Sequence, residues 1–362
     1  MLFSYREETV MFYSKLARSV SPYTAGEQLN DRNYVKLNTN ENPYPPSPRA
    51  AEAMRAFDAD RLKLYPDPEA KALRASIAAA EGVAAKNVFC GNGSDEVLAL
   101  CFPAFFDPEG KGACFADVTY SFYPVFAEFF RIPTKIIPVK GDYSLDLEEF
   151  LQADCQGYFL ANPNAPTSLG ISRREIENFV KRASDKIVVL DEAYMDFYGE
   201  SAVPLTEKYE NVLVVKTFSK SYSLAGIRCG YAIGNEALID ALFRMKDCFN
   251  SYPVDGLCQA ICAQAVADKS YHEETVQKVI SERERLKGEL KSMGLSVLDS
   301  KSNFLFVAFE KTGGEFIYRS LKERGVLVRY WNKPKLENYC RITVGTPAQN
   351  DALLDALRHI LR

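Results

Sequence analysis

Between Val88 and Gly234 seven short apolar runs alternate with stretches of helical spacing. They are Val88-Phe89-Cys90, Ala113-Cys114-Phe115-Ala116, Ile136-Ile137-Pro138-Val139, Tyr158-Phe159-Leu160-Ala161, Ile187-Val188-Val189-Leu190, Val212-Leu213-Val214-Val215 and Tyr231-Ala232-Ile233. Runs this short are strands, and because they are continuously apolar rather than alternating, both faces need cover. The pattern predicts an α/β fold with a mostly parallel seven-stranded sheet sandwiched by helices. In such a sheet, ligands collect beyond the carboxyl ends of the strands.

The flanks differ in texture. Residues 1–40 show no sustained period, and the chain then enters the Asn- and Pro-rich Asn40-Glu41-Asn42-Pro43-Tyr44-Pro45-Pro46, so 1–40 is expected to be an arm that packs with a smaller domain. Ser47–Asp58 and Glu69–Glu81 have helical spacing, and Gly82 stops the second. Beyond Ser251, helical Leu257–Ala267 and Glu273–Met293 precede strand-like Phe304–Val307, Val326–Val328 and Cys340–Val344, and a helix over 349–362 closes the chain. The expected organisation is the arm, a large α/β domain at 41–250 and a small α+β domain at 251–362.

Composition removes several functions. Lys plus Arg number 44 against 48 Asp plus Glu, a net charge of −4, so no basic field exists to hold a nucleic acid. No apolar run approaches the roughly 18 residues of a membrane span, and charges interrupt the start MLFSYREETV where a signal peptide needs apolar residues. A cytoplasmic protein is expected. The nine cysteines are odd in number and mostly in apolar contexts, which reads as reduced core thiols. Cys258 and Cys262 form the one close pair, with no further ligand near in sequence, so no metal site is expected. The two histidines, His272 and His359, sit in charged helical stretches and read as surface residues.

Chemistry concentrates after the apolar runs. Cys90 leads into Gly91-Asn92-Gly93-Ser94-Asp95-Glu96 and a helix, whose first amides could cradle a phosphate; an N-cap at Ser94 explains the same residues without a ligand. Glu96 stands where a dinucleotide fingerprint needs its third glycine, which argues against a dehydrogenase. Asp191 ends a buried run, where a carboxylate is costly unless a cation or an N-cap role satisfies it. Lys220 follows another run among small residues, with Arg228 eight positions on. Together a phosphate cup, a strand-end carboxylate, a lysine and an arginine are the parts that hold pyridoxal 5′-phosphate. The lysine forms an imine with its aldehyde, and the carboxylate keeps the ring nitrogen protonated so that the ring can take up a carbanion's electrons.

With these stand Asn40–Pro43, Tyr65-Pro66, Thr119-Tyr120, Asn162-Pro163-Asn164-Ala165-Pro166-Thr167, Asp191-Glu192-Ala193-Tyr194, Ser219-Lys220, Leu224–Gly230 and Arg341–Thr346. In this order they resemble the class II aminotransferases of pyridoxal phosphate fold type I, nearest to the branch that acts on histidinol phosphate. The resemblance spans nearly the whole chain. It implies that Lys220 is the Schiff-base lysine and the base that moves the substrate proton, that Asp191 faces the pyridine nitrogen, and that Tyr194 donates to the ring oxygen. It further implies that Tyr120 stacks on the ring, and that Gly93, Ser94, Asp95, Ser219 and Arg228 surround the cofactor phosphate. Tyr65 would reach the cofactor phosphate of the other subunit of a homodimer. Ala165 replaces the asparagine that normally touches the ring oxygen, leaving Asn164 or Asn162 to take that contact.

For the substrate, Arg341 and Arg329 would take acidic groups, with Tyr23 and Asn42 as additional contacts. Paired guanidinium groups suit phosphate or a second carboxylate. The implied reaction is ping-pong transfer of the amino group of glutamate to imidazole acetol phosphate. An aromatic amino acid aminotransferase and a phosphothreonine decarboxylase of the same fold are the rivals. A non-enzymatic regulator that binds the same cofactor would need a basic DNA-binding module, for which the residues ahead of the cofactor motifs are too few.

Overall fold

The computed structural model describes residues 12–24, 26–29, 31 and 33–362. Six of the seven apolar runs are strands of one sheet; the remaining strand is Thr134–Ile137, which takes in only Ile136 and Ile137 of the expected run and lies at the sheet's exposed edge. Named by residues, the order is Val88–Gly91, Gly230–Gly234, Val212–Thr217, Ile187–Asp191, Gly157–Ala161, Ala113–Ala116 and Thr134–Ile137. Gly230–Gly234 is antiparallel to both its neighbours, and every other pair is parallel.

The continuous apolar runs are explained by two cores, one on each face. Val88, Cys90, Tyr158, Leu160, Val188, Leu190, Val212 and Val214 face one, while Phe89, Phe159, Val189, Leu213 and Val215 face the other. The split follows the period of two along each strand. Each large side chain buried this way stabilises the fold by roughly 1.5–3 kcal/mol. The first core is closed by the helices Lys71–Glu81 and Gly256–Ala267, the second by Gly93–Phe105 and Glu236–Phe249. Gly82 caps the Lys71–Glu81 helix in the left-handed region, as its position in the sequence suggested.

A second sheet, Arg329–Tyr330, Tyr339–Thr343, Phe304–Ala308 and Ser296–Val297, is wholly antiparallel and packs on the helices Lys269–Ser292, Gly314–Glu323 and Pro347–Ile360. Val326–Val328 is not one strand as expected. Val326–Leu327 pairs in parallel with Val35–Lys36, and the chain then crosses at Val328 so that Arg329–Tyr330 joins the four-stranded sheet. The arm therefore carries a strand that its sequence does not announce, two residues being too short to show a period.

Two further expectations are corrected. His272 is not a surface residue: its ring keeps 17% of its surface and stacks on Tyr222 at 4.2 Å. Cys258 and Cys262 do gain a neighbour, because the turn before Gly230 brings Cys229 to them, with the three sulfurs within 4.8 Å of one another in the core. Both result from long-range packing. His359 is exposed, and among the described residues no helix is long and apolar enough to cross a membrane.

Candidate active site

Strand direction gathers the site. Ile187–Asp191 and Val212–Thr217 end at one edge of the sheet, and so does Val88–Gly91, through its antiparallel link to Gly230–Gly234. The reversed strand brings its start to the same edge, where Gly230 lies opposite both Gly91 and Thr217. Arg228, two residues earlier, is thereby set against the Gly93–Phe105 helix start. A Cβ on Gly93, at φ 78°, would lie 2.5 Å from Arg228 Nη2, so only glycine admits the guanidinium there. Arg228 donates to Ser219 Oγ at 3.3 Å and to Asp95 Oδ2 at 3.3 Å. The helix begins at Gly93 with Asn92 as its cap residue, so Ser94 is not the N-cap and its amide is among the unpaired donors of the first turn.

These residues line an inner cleft of about 150 Å³, with Ser94, Asp95, Tyr120, Asp191, Tyr194, Ser219, Lys220 and Arg228 in its wall. An outer cleft of about 460 Å³ shares Thr39, Tyr120, Ala165, Tyr194 and Lys220 with it and adds Tyr23, Arg329 and Arg341. Lys220 thus stands where the two meet, its Nζ 5.6 Å from the centre of the Tyr194 ring.

Asp191 is 6% exposed, with Oδ2 accepting from Tyr123 at 2.9 Å and Oδ1 from the Ala193 amide at 3.1 Å. Burial pushes its carboxyl up to about 6, against the opposing pull of those two donors. A pyridinium nitrogen is the partner such a carboxylate lacks, so the residues fit pyridoxal phosphate. Raising the pKa from the ordinary 3.8 to about 6 disfavours the charged form by roughly 3 kcal/mol. The penalty is absent below pH 4, grows as pH rises through this window and is complete above it. Asp191→Asn should therefore raise the thermal midpoint of the cofactor-free protein at pH 8 and leave it unchanged at pH 3.5. Equal midpoints at pH 8 would show that Asp191 is not strained by burial.

Tyr194 is held by an asparagine the sequence reading missed: Asn40 Nδ2 donates to its hydroxyl at 2.9 Å. Tyr123, under Asp191, was also missed, since a buried tyrosine in an aromatic helix carries no local signal. Arg329 and Arg341 lie directly opposite each other on paired strands. Arg341 donates from Nη2 to Asn38 O at 2.9 Å, and its Nε is covered without a hydrogen-bond partner. Burial, with a smaller push from Arg329, lowers its pKa from the ordinary value. Trp331, the single tryptophan, lies 5.2 Å and 5.3 Å from the two guanidinium carbons and completes this wall. Tyr23 stacks on Phe122 at the rim.

Two expected contacts do not form, and a third, from Tyr65, is one expected only across a dimer. Asn164 is consumed by its own loop and by the distant Val118-Thr119 segment: its amide donates to Thr167 Oγ1 and Val118 O, and its oxygen accepts from Thr119. Asn162 is likewise tied to Ile171, so Pro163 and Ala165, which offer no side-chain hydrogen bond, face the inner cleft there. Asn42 donates to Ser221 O at 3.1 Å and lines neither cleft. Tyr65 is 83% exposed, stacked on Tyr252 at 4.7 Å, and belongs to neither cleft.

A lysine between two clefts, a strand-end carboxylate and an anion cup define a transaminase site, and the family model for aminotransferases of class I and II matches residues 32–357. The chain belongs to this family, whose enzymes work on pyridoxal 5′-phosphate. It is 46% identical over 352 residues to the histidinol-phosphate aminotransferase of Brachyspira hyodysenteriae, covering 97% of this chain and 99% of that protein. It is also 46% identical to histidinol-phosphate aminotransferase 1 of Oceanobacillus iheyensis, over 97% and 98% of the two chains. Among solved structures, the histidinol-phosphate aminotransferase of Sinorhizobium meliloti in complex with pyridoxal-5′-phosphate superposes with a TM-score of 0.86 at 24% identity, covering 97% of this chain and 98% of that one. A Thermus thermophilus aspartate aminotransferase mutant reaches 0.82 at 20%, covering 96% and 99%. At these identities the two structures establish the fold, that of the fold type I pyridoxal phosphate enzymes.

Proposed function

We propose that this transaminase moves the amino group of glutamate to imidazole acetol phosphate, giving 2-oxoglutarate and histidinol phosphate. The observation that carries the reading is the outer cleft, where the Arg341 and Arg329 guanidinium groups share one aromatic wall and Arg341 Nε has no partner. Two guanidinium groups suit a phosphate monoester and a dicarboxylate alternately, as ping-pong exchange demands. The similarity to named histidinol-phosphate aminotransferases supports the same substrate.

When bound, pyridoxal phosphate supplies an aldehyde that condenses with amines and a ring that stores the electrons of a broken Cα–H bond. Lys220 would be the base that moves the proton between the substrate Cα and the cofactor's C4′, a kind of step worth about 10²–10⁴-fold. Asp191 would hold a proton at the ring nitrogen. Tyr194, oriented by Asn40, would donate to the ring oxygen, and Tyr120 would cover the ring face. Arg228, Ser219 and the amides of Ser94 and Asp95 would hold the phosphate, with Gly93 leaving room for the guanidinium. Arg341 and Arg329, with Tyr23 at the rim, orient the substrate.

The enzyme works as a homodimer in the cytoplasm. Leu62, Leu64 and Tyr65 are 67%, 66% and 83% exposed along one segment, an apolar surface that a second copy of the chain would cover while delivering Tyr65 to its neighbour's phosphate cup. A sedimentation mass of one chain overturns this. The described part of the arm would join residues 268–362 in the small domain and 41–267 would make up the large one, a reading supported by the packing of Gly256–Ala267 in the core of the large sheet.

Histidinol phosphate added to the loaded enzyme should shift the cofactor absorbance to that of the amine form within seconds, and phenylalanine should do so far more slowly. The opposite order would make it an aromatic aminotransferase. Loss of carbon dioxide from phosphothreonine would make it a decarboxylase.

A further inference from the structure

Beside the lysine loop lies a cluster of largely buried charge that the mechanism leaves unused. Lys216 sits 2.8 Å from Glu81 Oε1 and 3.2 Å from Asp196 Oδ1, with side-chain exposures of 9%, 15% and 18%. Tyr231 donates to the same Glu81 oxygen at 2.6 Å. The other Asp196 oxygen accepts from Ser221 Oγ at 2.5 Å, and His272 Nε2 stands 3.3 Å from it. Burial alone would raise the Asp196 pKa, yet the charge of Lys216 and the contacts with His272 and Ser221 hold it far below the usual carboxylate range.

The cluster touches the chain on both sides of its anchor. Asp196 lies five residues after Asp191 and two after Tyr194, in the same turn that faces the cofactor ring. Ser221 and Tyr222 directly follow Lys220, and His272 stacks on Tyr222. Ser221 is 3% exposed and held twice, its hydroxyl by Asp196 and its carbonyl by Asn42. Replacing such a buried ion pair by apolar residues often costs little stability, so stability alone does not account for this arrangement. A charge-assisted bond does fix direction. The geometry points to Asp196 as a positioning residue that sets the register between the ring-facing segment 191–194 and the reactive amine of Lys220, with Lys216 and Ser221 fixing its carboxylate. This rests on Lys220 being the reacting amine.

Ser221→Ala removes one hydroxyl and no charge. It should lower kcat by about tenfold, the size of one charge-assisted bond, with KM for both substrates within twofold of wild type. Amide exchange in the cofactor-free protein should accelerate at 219–223 and nowhere else in the large sheet. Asp196→Ala should lower kcat at least as far, and the double variant should be no worse than Asp196→Ala alone, because both remove the same bond. Should Asp196→Ala fail to fold, Ser221→Ala alone decides. A wild-type kcat and unchanged exchange in Ser221→Ala, or losses that multiply in the double variant, would overturn the assignment. An active Lys220→Ala variant would instead overturn the reading on which it rests.

Discussion

Lys220→Ala is expected to give a folded protein whose turnover is lower by at least about 10³-fold. The amine lines both clefts and packs in no core cluster, so its loss removes a reactive group rather than a support. The thermal midpoint of the cofactor-free variant should stay within a few degrees of wild type. The two effects together separate chemistry from folding, since a variant that lost activity by unfolding would lose its midpoint too. Turnover near the wild-type rate would remove Lys220 from the mechanism.

Arg341→Ala should raise the KM of both glutamate and the phosphate substrate, each by about 10–150-fold, the range of a hydrogen bond to a charged group. Its guanidinium touches a backbone carbonyl and an aromatic wall, and its Nε is covered with nothing to bond. Holding a cation in that state costs stability until an anion arrives. The cofactor-free variant should accordingly melt no lower than wild type. An increase in KM for one substrate alone would show that the two anions use different groups, with Arg329 carrying the other.

Much of this site is legible in the chain because backbone and strand ends place it. Asp191 and Lys220 announce themselves by following buried runs, and Gly93 by standing where a strand turns into a helix. Arg329 ends the run Val326–Val328 and Arg341 lies inside Cys340–Val344, which allows their pairing to be foreseen. The misses share one cause. Asn164, Asn162 and Asn42 have side chains that bond loops only a few residues long or a distant carbonyl, and nothing in residue order says which donor a fold will spend locally. Asn40 and Tyr123 act through partners 154 and 68 residues away, and Trp331 through Arg341 of the neighbouring strand as well as Arg329, so no local period marks them.

Continuous apolar runs at helix-separated intervals are enough to determine a covered parallel sheet, because burial on both faces admits no polar alternate positions. Motif residues at the ends of those runs are brought together, since a parallel sheet puts every such end on one edge. Only the tertiary structure decided that one strand runs backwards and carries Arg228 to that edge, that Val328 switches sheets, and that Cys229 and His272 are drawn inward. These depend on which surfaces pack across long stretches of chain. Such contacts are settled by the summed fit of many side chains, and no short segment contains that information.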